Sequence, residues 1–138
     1  MEMSLVLIKP DVVQRGLAGA IITRLEQLGL RIVAMKMLHL DKALAQEHYS
    51  VHKDKPFFND LVDYISSAPI IAIVFEGGET VAVVRKMMGA TDPAKAEAGT
   101  IRGDFGLDIG RNSVHGSDSV KTAEREIKLF FSEDEIYT

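Results

Sequence analysis

The chain contains no cysteine and no tryptophan, and only four prolines among its 138 residues. Without cysteine there can be no disulfide, no thiolate nucleophile and no thiolate zinc site. A single domain of this length buries roughly 70% of the surface its unfolded chain exposes, so it needs no such staple. Basic residues are outnumbered, 16 against 20, which sets a formal net charge of −4. That balance argues against a protein whose main task is gripping long nucleic acids, because phosphate neutralisation dominates that work. Long apolar runs are missing too. The longest, Ile70 to Phe75, is far below the roughly 18 residues a membrane span requires. The start, Met1-Glu2-Met3-Ser4, lacks the basic region of a secretory signal. The expectation is a cytoplasmic protein that does not engage membranes. No repeat, low-complexity tract or Gly/Ser linker divides the chain, so residues 1–138 are expected to form one domain.

The apolar residues that are present recur with readable spacings. Residues 3–8 form a short apolar run stopped by Lys9-Pro10-Asp11, as in a buried strand ended by a turn. Leu17, Ile21, Leu25 and Leu28 repeat at helical spacing, and Gly29 follows as a stop. Residues 31–40 are rich in β-branched and long apolar side chains and predict a strand. Asp41 can cap a short helix running to about Tyr49. Phe57, Leu61, Val62 and Ile65 mark one helical face behind Pro56. Residues 70–75 predict a second core strand, and Val81, Val84 and Met88 another helix closed by Gly89. Residues 90–112 look irregular, punctuated by Gly99, Gly103, Gly106 and Gly110; an irregular stretch this long is usually functional or disordered, and its Thr, Arg, Asp and Gly favour function. Residues 113–115 are extended, and Ser117 or Ser119 can cap a final helix built on Val120, Ala123, Ile127 and Phe130. Reduced to its core the order is βαββαβ, the pattern of a ferredoxin-like α+β sandwich with a four-stranded antiparallel sheet and helices on one face.

The segment Asn112-Ser113-Val114-His115-Gly116-Ser117-Asp118-Ser119 is the densest polar cluster. An imidazole there is a competent nucleophile near neutral pH, because its ordinary pKa of about 6.5 leaves it mostly neutral. Gly116, lacking a Cβ, would let a bulky group approach, and the free N–H groups opening the final helix favour an anion. Equally, His115 can be a hydrogen-bonded histidine at a strand end. A nucleophilic histidine needs a carboxylate on its other ring nitrogen; Asp118, Glu124 and Glu126 are candidates, with Glu124 better read as part of a solvated face. Lys9, Arg85, Arg102 and Arg111 could hold phosphate, with Thr91 and Asn112 as neutral donors. No GxxxxGK[ST], GxGxxG or HExxH pattern exists, so a nucleotide site would have to be built from side chains. Arg102-Gly103-Asp104 matches an adhesion tripeptide by chance. Of the adjacent Phe57 and Phe58, one must point away from the core.

The octet around His115 resembles the signature N-x-x-H-G-S-D of nucleoside diphosphate kinases. Ile8-Lys9-Pro10-Asp11 with Gln14-Arg15-Gly16, His48-Tyr49, Pro56-Phe57-Phe58, the run from Met88 to Ala94 and the run from Gly99 to Phe105 match the same family in order, end to end. The resemblance implies that His115 takes the γ-phosphoryl group of a nucleoside triphosphate, chiefly ATP, and passes it to a diphosphate, with broad base tolerance. It implies that Glu126 and Ser117 orient the imidazole and that Tyr49 sits close to it. Lys9 and Asn112 would meet the sugar hydroxyl and terminal phosphate. Arg85, Thr91 and Arg102 would hold phosphates, and His52 would approach the α-phosphate. Phe57 would stack on the base with Leu61 beneath it. Mg²⁺ would ride on the nucleotide phosphates rather than on a protein ligand set. The family assembles as hexamers or tetramers, and a hexamer is favoured here. Ser113 and Lys55 depart from the family's commoner apolar residue and arginine, and neither touches these roles. A histidine-dependent nucleotide hydrolase and a non-catalytic binding module are the competing readings.

Overall fold

The computed structural model describes residues 1–138. Its sheet has strands β1 (Glu2–Ile8), β2 (Arg31–Leu38), β3 (Ile70–Gly77) and β4 (Val114–Gly116). Their order is β2-β3-β1-β4, every neighbouring pair antiparallel. This is the expected four-stranded antiparallel α+β arrangement. The helices are α1 (Pro10–Gln14), α2 (Ala18–Glu26), α3 (Lys42–His48), α4 (Phe58–Ile65), α5 (Thr80–Met88), α6 (Ile101–Phe105) and α7 (Val120–Phe130).

The helices lie on both faces of the sheet, not on one. Leu5, Leu7, Ala72 and Val74 point into a core completed by Ala45 of α3, Val62 and Ile65 of α4, and Ile127 and Phe130 of α7. Val6, Ile8, Ile73 and Phe75 point the other way, against Val12 of α1, Ile21 and Leu25 of α2, Val84 and Met88 of α5, and Ile101 of α6. The physical reason is in the central strands. β1 and β3 read as near-continuous apolar runs rather than alternating ones, which is what burial on both faces demands. Each fully buried Leu, Ile or Val contributes roughly 1.5–3 kcal/mol, so neither face can be left wet.

Local chemistry explains most boundaries. Pro10 does not merely end a strand. It opens α1, where its missing N–H costs no hydrogen bond. Asp41 caps α3 as expected, accepting from Leu44 N at 2.8 Å. β2 stops at Leu38, and α4 begins at Phe58, two residues after Pro56. Ser119, not Ser117, caps α7, accepting from Thr122 N at 3.0 Å.

Residues 90–112 are more ordered than their composition suggests. They hold a 3-10 turn at Pro93–Lys95 and the short helix α6. Thr100 caps α6 by accepting from Gly103 N at 3.1 Å. Gly103, a poor helix former, is required there because a Cβ would collide with the backbone carbonyl of Glu97. Replacing Gly103 with Ala is therefore expected to destabilise the protein by roughly 1–3 kcal/mol, the cost of overpacking, read as a lower midpoint in urea unfolding.

Candidate active site

The antiparallel register brings the two ends of the chain together. His115 sits opposite Leu7 across β1 and β4, and Lys9 N donates to Ser113 O at 2.9 Å two steps beyond. The backbone turns into β4 through Ser113, whose φ of 80° lies in the left-handed region although it has a side chain. α7 then doubles back over β1 and lays Glu126 against the imidazole.

His115 Nε2 lies 3.0 Å from Glu126 Oε1. An ionised carboxylate can only accept, so Nε2 carries the proton and Nδ1 keeps its lone pair. No protein group engages Nδ1, and His115 lines a cleft of about 910 Å³. Glu126 is buried. Burial alone would push its carboxyl up, but the hydrogen bonds and charge of His115, the nearby His48 and Ser117 outweigh it and hold the group below its ordinary pKa. Ser117 Oγ donates to the same Oε1 at 2.7 Å and accepts from Leu5 N at 3.2 Å. It thus ties the carboxylate to the central strand. Asp118 and Glu124 are exposed on the surface and do not orient the ring.

Three cations converge beside the imidazole. Lys9 Nζ donates to Asn112 Oδ1 at 2.8 Å, and Asn112 Nδ2 donates to Thr91 O at 3.2 Å. Arg102 donates to Gly89 O at 3.1 Å and Val114 O at 3.0 Å, leaving its Nε unpartnered. Arg85 reaches Gly116 O at 3.4 Å. Burial, then the charge of Arg102, pushes Lys9 down to about 8. Burial, then the charge of Arg85, pushes Arg102 down to about 10. Neither Lys9 nor Arg102 forms a salt bridge with an acidic side chain. Buried cations without an acidic partner mark a candidate anion site.

The opposite wall comes from the chain before and within α4. Phe57 is 44% exposed over the cleft, while Phe58 packs on the core. Leu61 lines the same wall, and the His52 ring stands 5.6 Å from that of Phe57. Tyr49 is buried at the cleft floor, and burial pushes its phenol up. Every site residue expected from the sequence except Ser117, which is fully buried and touches Glu126, therefore borders one cleft, together with Arg111, which is paired at the rim with Asp108.

Gly116 acts differently from expectation. Its missing Cβ leaves room for Met88 Sδ and Val84 of α5, not for a ligand. Sequence reasoning also passed over His48 as a site residue. It is fully buried, its ring meets that of His115 edge-on at 4.6 Å, and neither of its nitrogens has a hydrogen-bond partner. Nor was the pair formed by Tyr64 and Asp11 anticipated, where the Tyr64 hydroxyl donates to Asp11 Oδ1 at 2.5 Å. Both depend on contacts between distant elements, which no local spacing displays.

Ser117 supplies the test of this architecture. Ser117→Ala leaves the buried Leu5 N–H without its acceptor and Glu126 with one donor fewer. The expected loss is about 1–3 kcal/mol of stability, measured by denaturant titration.

Similarity to known proteins agrees with this geometry. A family model described as Nucleoside diphosphate kinase matches residues 2–136. The nucleoside diphosphate kinase of Methanothermobacter thermautotrophicus is 62% identical over 136 residues, covering 99% of this chain and 91% of that protein. The one from Archaeoglobus fulgidus is 61% identical, covering 99% and 90%. Among solved structures, the Halobacterium salinarum enzyme in complex with CDP superposes with a TM-score of 0.97 at 52% identity, covering 99% and 91%. The Aquifex aeolicus enzyme gives 0.96 at 40%, covering 98% of each chain. The chain belongs to the nucleoside diphosphate kinase family, and its activity is the family's: transfer of a phosphoryl group from a nucleoside triphosphate to a nucleoside diphosphate.

Proposed function

We propose that His115 is the phosphoryl carrier and that Nδ1 is the atom that attacks. The observation that carries this reading is the split between the two ring nitrogens: Nε2 is tied to a buried carboxylate, while Nδ1 is free beside three cations. In the first half-reaction the Nδ1 lone pair forms a bond to the γ-phosphorus. The bond from that phosphorus to the bridging oxygen breaks, and the nucleoside diphosphate leaves with the electron pair. Positive charge develops on the imidazole and is stabilised by Glu126 through Nε2–H. The second half-reaction runs the same steps backwards onto another diphosphate. Lys9, Arg85 and Arg102 compensate the phosphate charge, with Thr91 and Asn112 as neutral partners and Tyr49 close by. His52 lies towards the α-phosphate. Phe57 stacks on the base above Leu61, and because every base has a π-face this tolerates all of them.

Mg²⁺ enters with the nucleotide, ATP being the principal donor. Of the acids lining the cleft, Glu126 is committed to His115 and Ser117. Only Asp60 and Asp118 remain, short of the octahedral oxygen set that Mg²⁺ demands. Its part is to neutralise phosphate charge. A homo-oligomer is also proposed, a hexamer ahead of a tetramer. No strand pairs with the outer edge of β2, where Tyr137 N donates to Val33 O at 2.8 Å, and β2 presents Met35 and Met37, each more than half exposed, which suits contact with a second copy. No helix is long and apolar enough to cross a membrane, and cytoplasmic residence remains the reading.

Incubation with γ-labelled ATP and Mg²⁺ is expected to give an acid-labile, base-stable label that a chase with GDP removes as labelled GTP. His115→Ala is expected to abolish both. Release of the label only as inorganic phosphate would identify a hydrolase instead, and label retained by His115→Ala would dismiss the carrier.

The pH profile gives a second prediction. Lys9 is cationic below about pH 8 and neutral above it in the free protein. kcat/KM, which reports the free enzyme, is therefore expected to fall on an alkaline limb with a midpoint near 8. Lys9→Gln should start lower and lose that limb.

A further inference from the structure

We propose that His48, His115 and Glu126 form a site for a zinc-type divalent cation, and that its occupation switches the nucleophile off. The inference rests on the reading of His115 as the phosphoryl carrier. The three side chains offer ligand atoms that all lie within 4.8 Å of one another. His115 Nε2 is 3.0 Å from Glu126 Oε1, and His48 Nδ1 is 3.7 Å from Glu126 Oε2. Neighbouring ligands of a tetrahedral zinc ion, bound at 2.0–2.1 Å, stand about 3.4 Å apart. The two separations, one to each carboxylate oxygen, bracket that value, and ligand atoms spread over up to 4.8 Å would draw in around the ion.

His48 is the independent observation. A buried polar side chain normally finds a partner, yet this one is 2% exposed with both ring nitrogens unpaired. It faces Glu126 and meets His115 edge-on. A ligand would give it the partner it lacks. Two imidazoles and one carboxylate select zinc over Mg²⁺, which prefers an all-oxygen octahedron. Entry is through the cleft, past the partly exposed His115 ring.

The consequence follows from proton counting. A neutral imidazole carries one N–H. With no ion, that proton is on Nε2 and the lone pair is on Nδ1. A metal on Nε2 takes the Nε2 lone pair, so the single proton moves to Nδ1. The attacking atom then has no lone pair to give. Nucleotide binding, which uses the cations and Phe57 wall, is untouched.

The test begins with direct zinc binding to the nucleotide-free full chain, by competition with a chromophoric chelator. One ion per chain is expected, bound at least tenfold more weakly by His48→Phe and by His48→Gln. Zinc buffered at saturation, in excess Mg²⁺, is expected to suppress phosphoenzyme formation from labelled ATP at least tenfold, and EDTA is expected to restore it. Long-range ¹⁵N NMR of the unsubstituted protein should show the His115 proton shifting from Nε2 to Nδ1 as zinc is added, a readout that needs no variant to fold. Equal zinc affinity in the His48 variants, unchanged phosphorylation of the zinc-loaded protein, or an unmoved Nε2–H at saturation would each overturn the proposal. Failure of the carrier assignment would show separately, as label on zinc-free His115→Ala.

Discussion

A hydrogen bond of 3.0 Å from His115 Nε2 to Glu126 Oε1 organises the molecule. An isolated imidazole has two interchangeable nitrogens, and the buried carboxylate makes them unequal. Holding that carboxylate ionised under the core is costly unless donors surround it. Ser117 and His115 supply them, and Ser117 is itself braced by β1. The antiparallel pairing of β1 with β4, the return of α7 across β1, and the caps that start α7 on register all bear on where one oxygen atom sits. Phosphoryl transfer asks a protein mainly for position and charge, and position is what this arrangement supplies.

Charge is handled in the opposite way. Lys9 and Arg102 are buried near one another without acid partners, and burial, then the charge of Arg102, lowers the Lys9 pKa. Backbone carbonyls and the Asn112 amide hold them in place without neutralising them. On the proposed reading, a triphosphate bound there would relieve the repulsion between the two cations. The chain-wide sum of −4 conceals this, because a mononucleotide meets only the few cations in one cleft. The charge argument against long nucleic acids says nothing about short phosphorylated ligands.

Much of this was legible in the residues. β1 and β3 stood out as apolar runs, the caps at Asp41 and Ser119 as short polar side chains before helices, and the His115 octet as a polar cluster beside a helix start. Other features were out of reach because they arise between distant elements. From the residues alone Glu126 was one of three nearby carboxylates, singled out only by the family resemblance; the fold of α7 over β1 is what brings it to the imidazole. Gly116 looked like an opening for a ligand, yet the space beside it belongs to Met88. Helices were expected on one face, although the unbroken runs in β1 and β3 already implied two. The helix at Ile101–Phe105 was hidden by Gly103, whose presence answers a backbone contact rather than a propensity. His48 was masked by looking like an ordinary residue at the end of a short helix.

The regiochemistry of the phosphohistidine tests the central claim most directly. With Nε2 committed to Glu126, the phosphoryl group has only Nδ1 to occupy. ³¹P and ¹⁵N NMR of the phosphorylated protein, prepared from ATP and Mg²⁺, should show a single species with the phosphorus bonded to Nδ1 of His115. A phosphoryl group on Nε2, or a mixture of the two isomers, would mean that the Glu126 hydrogen bond does not set the reactive nitrogen, and the account built on it would fail.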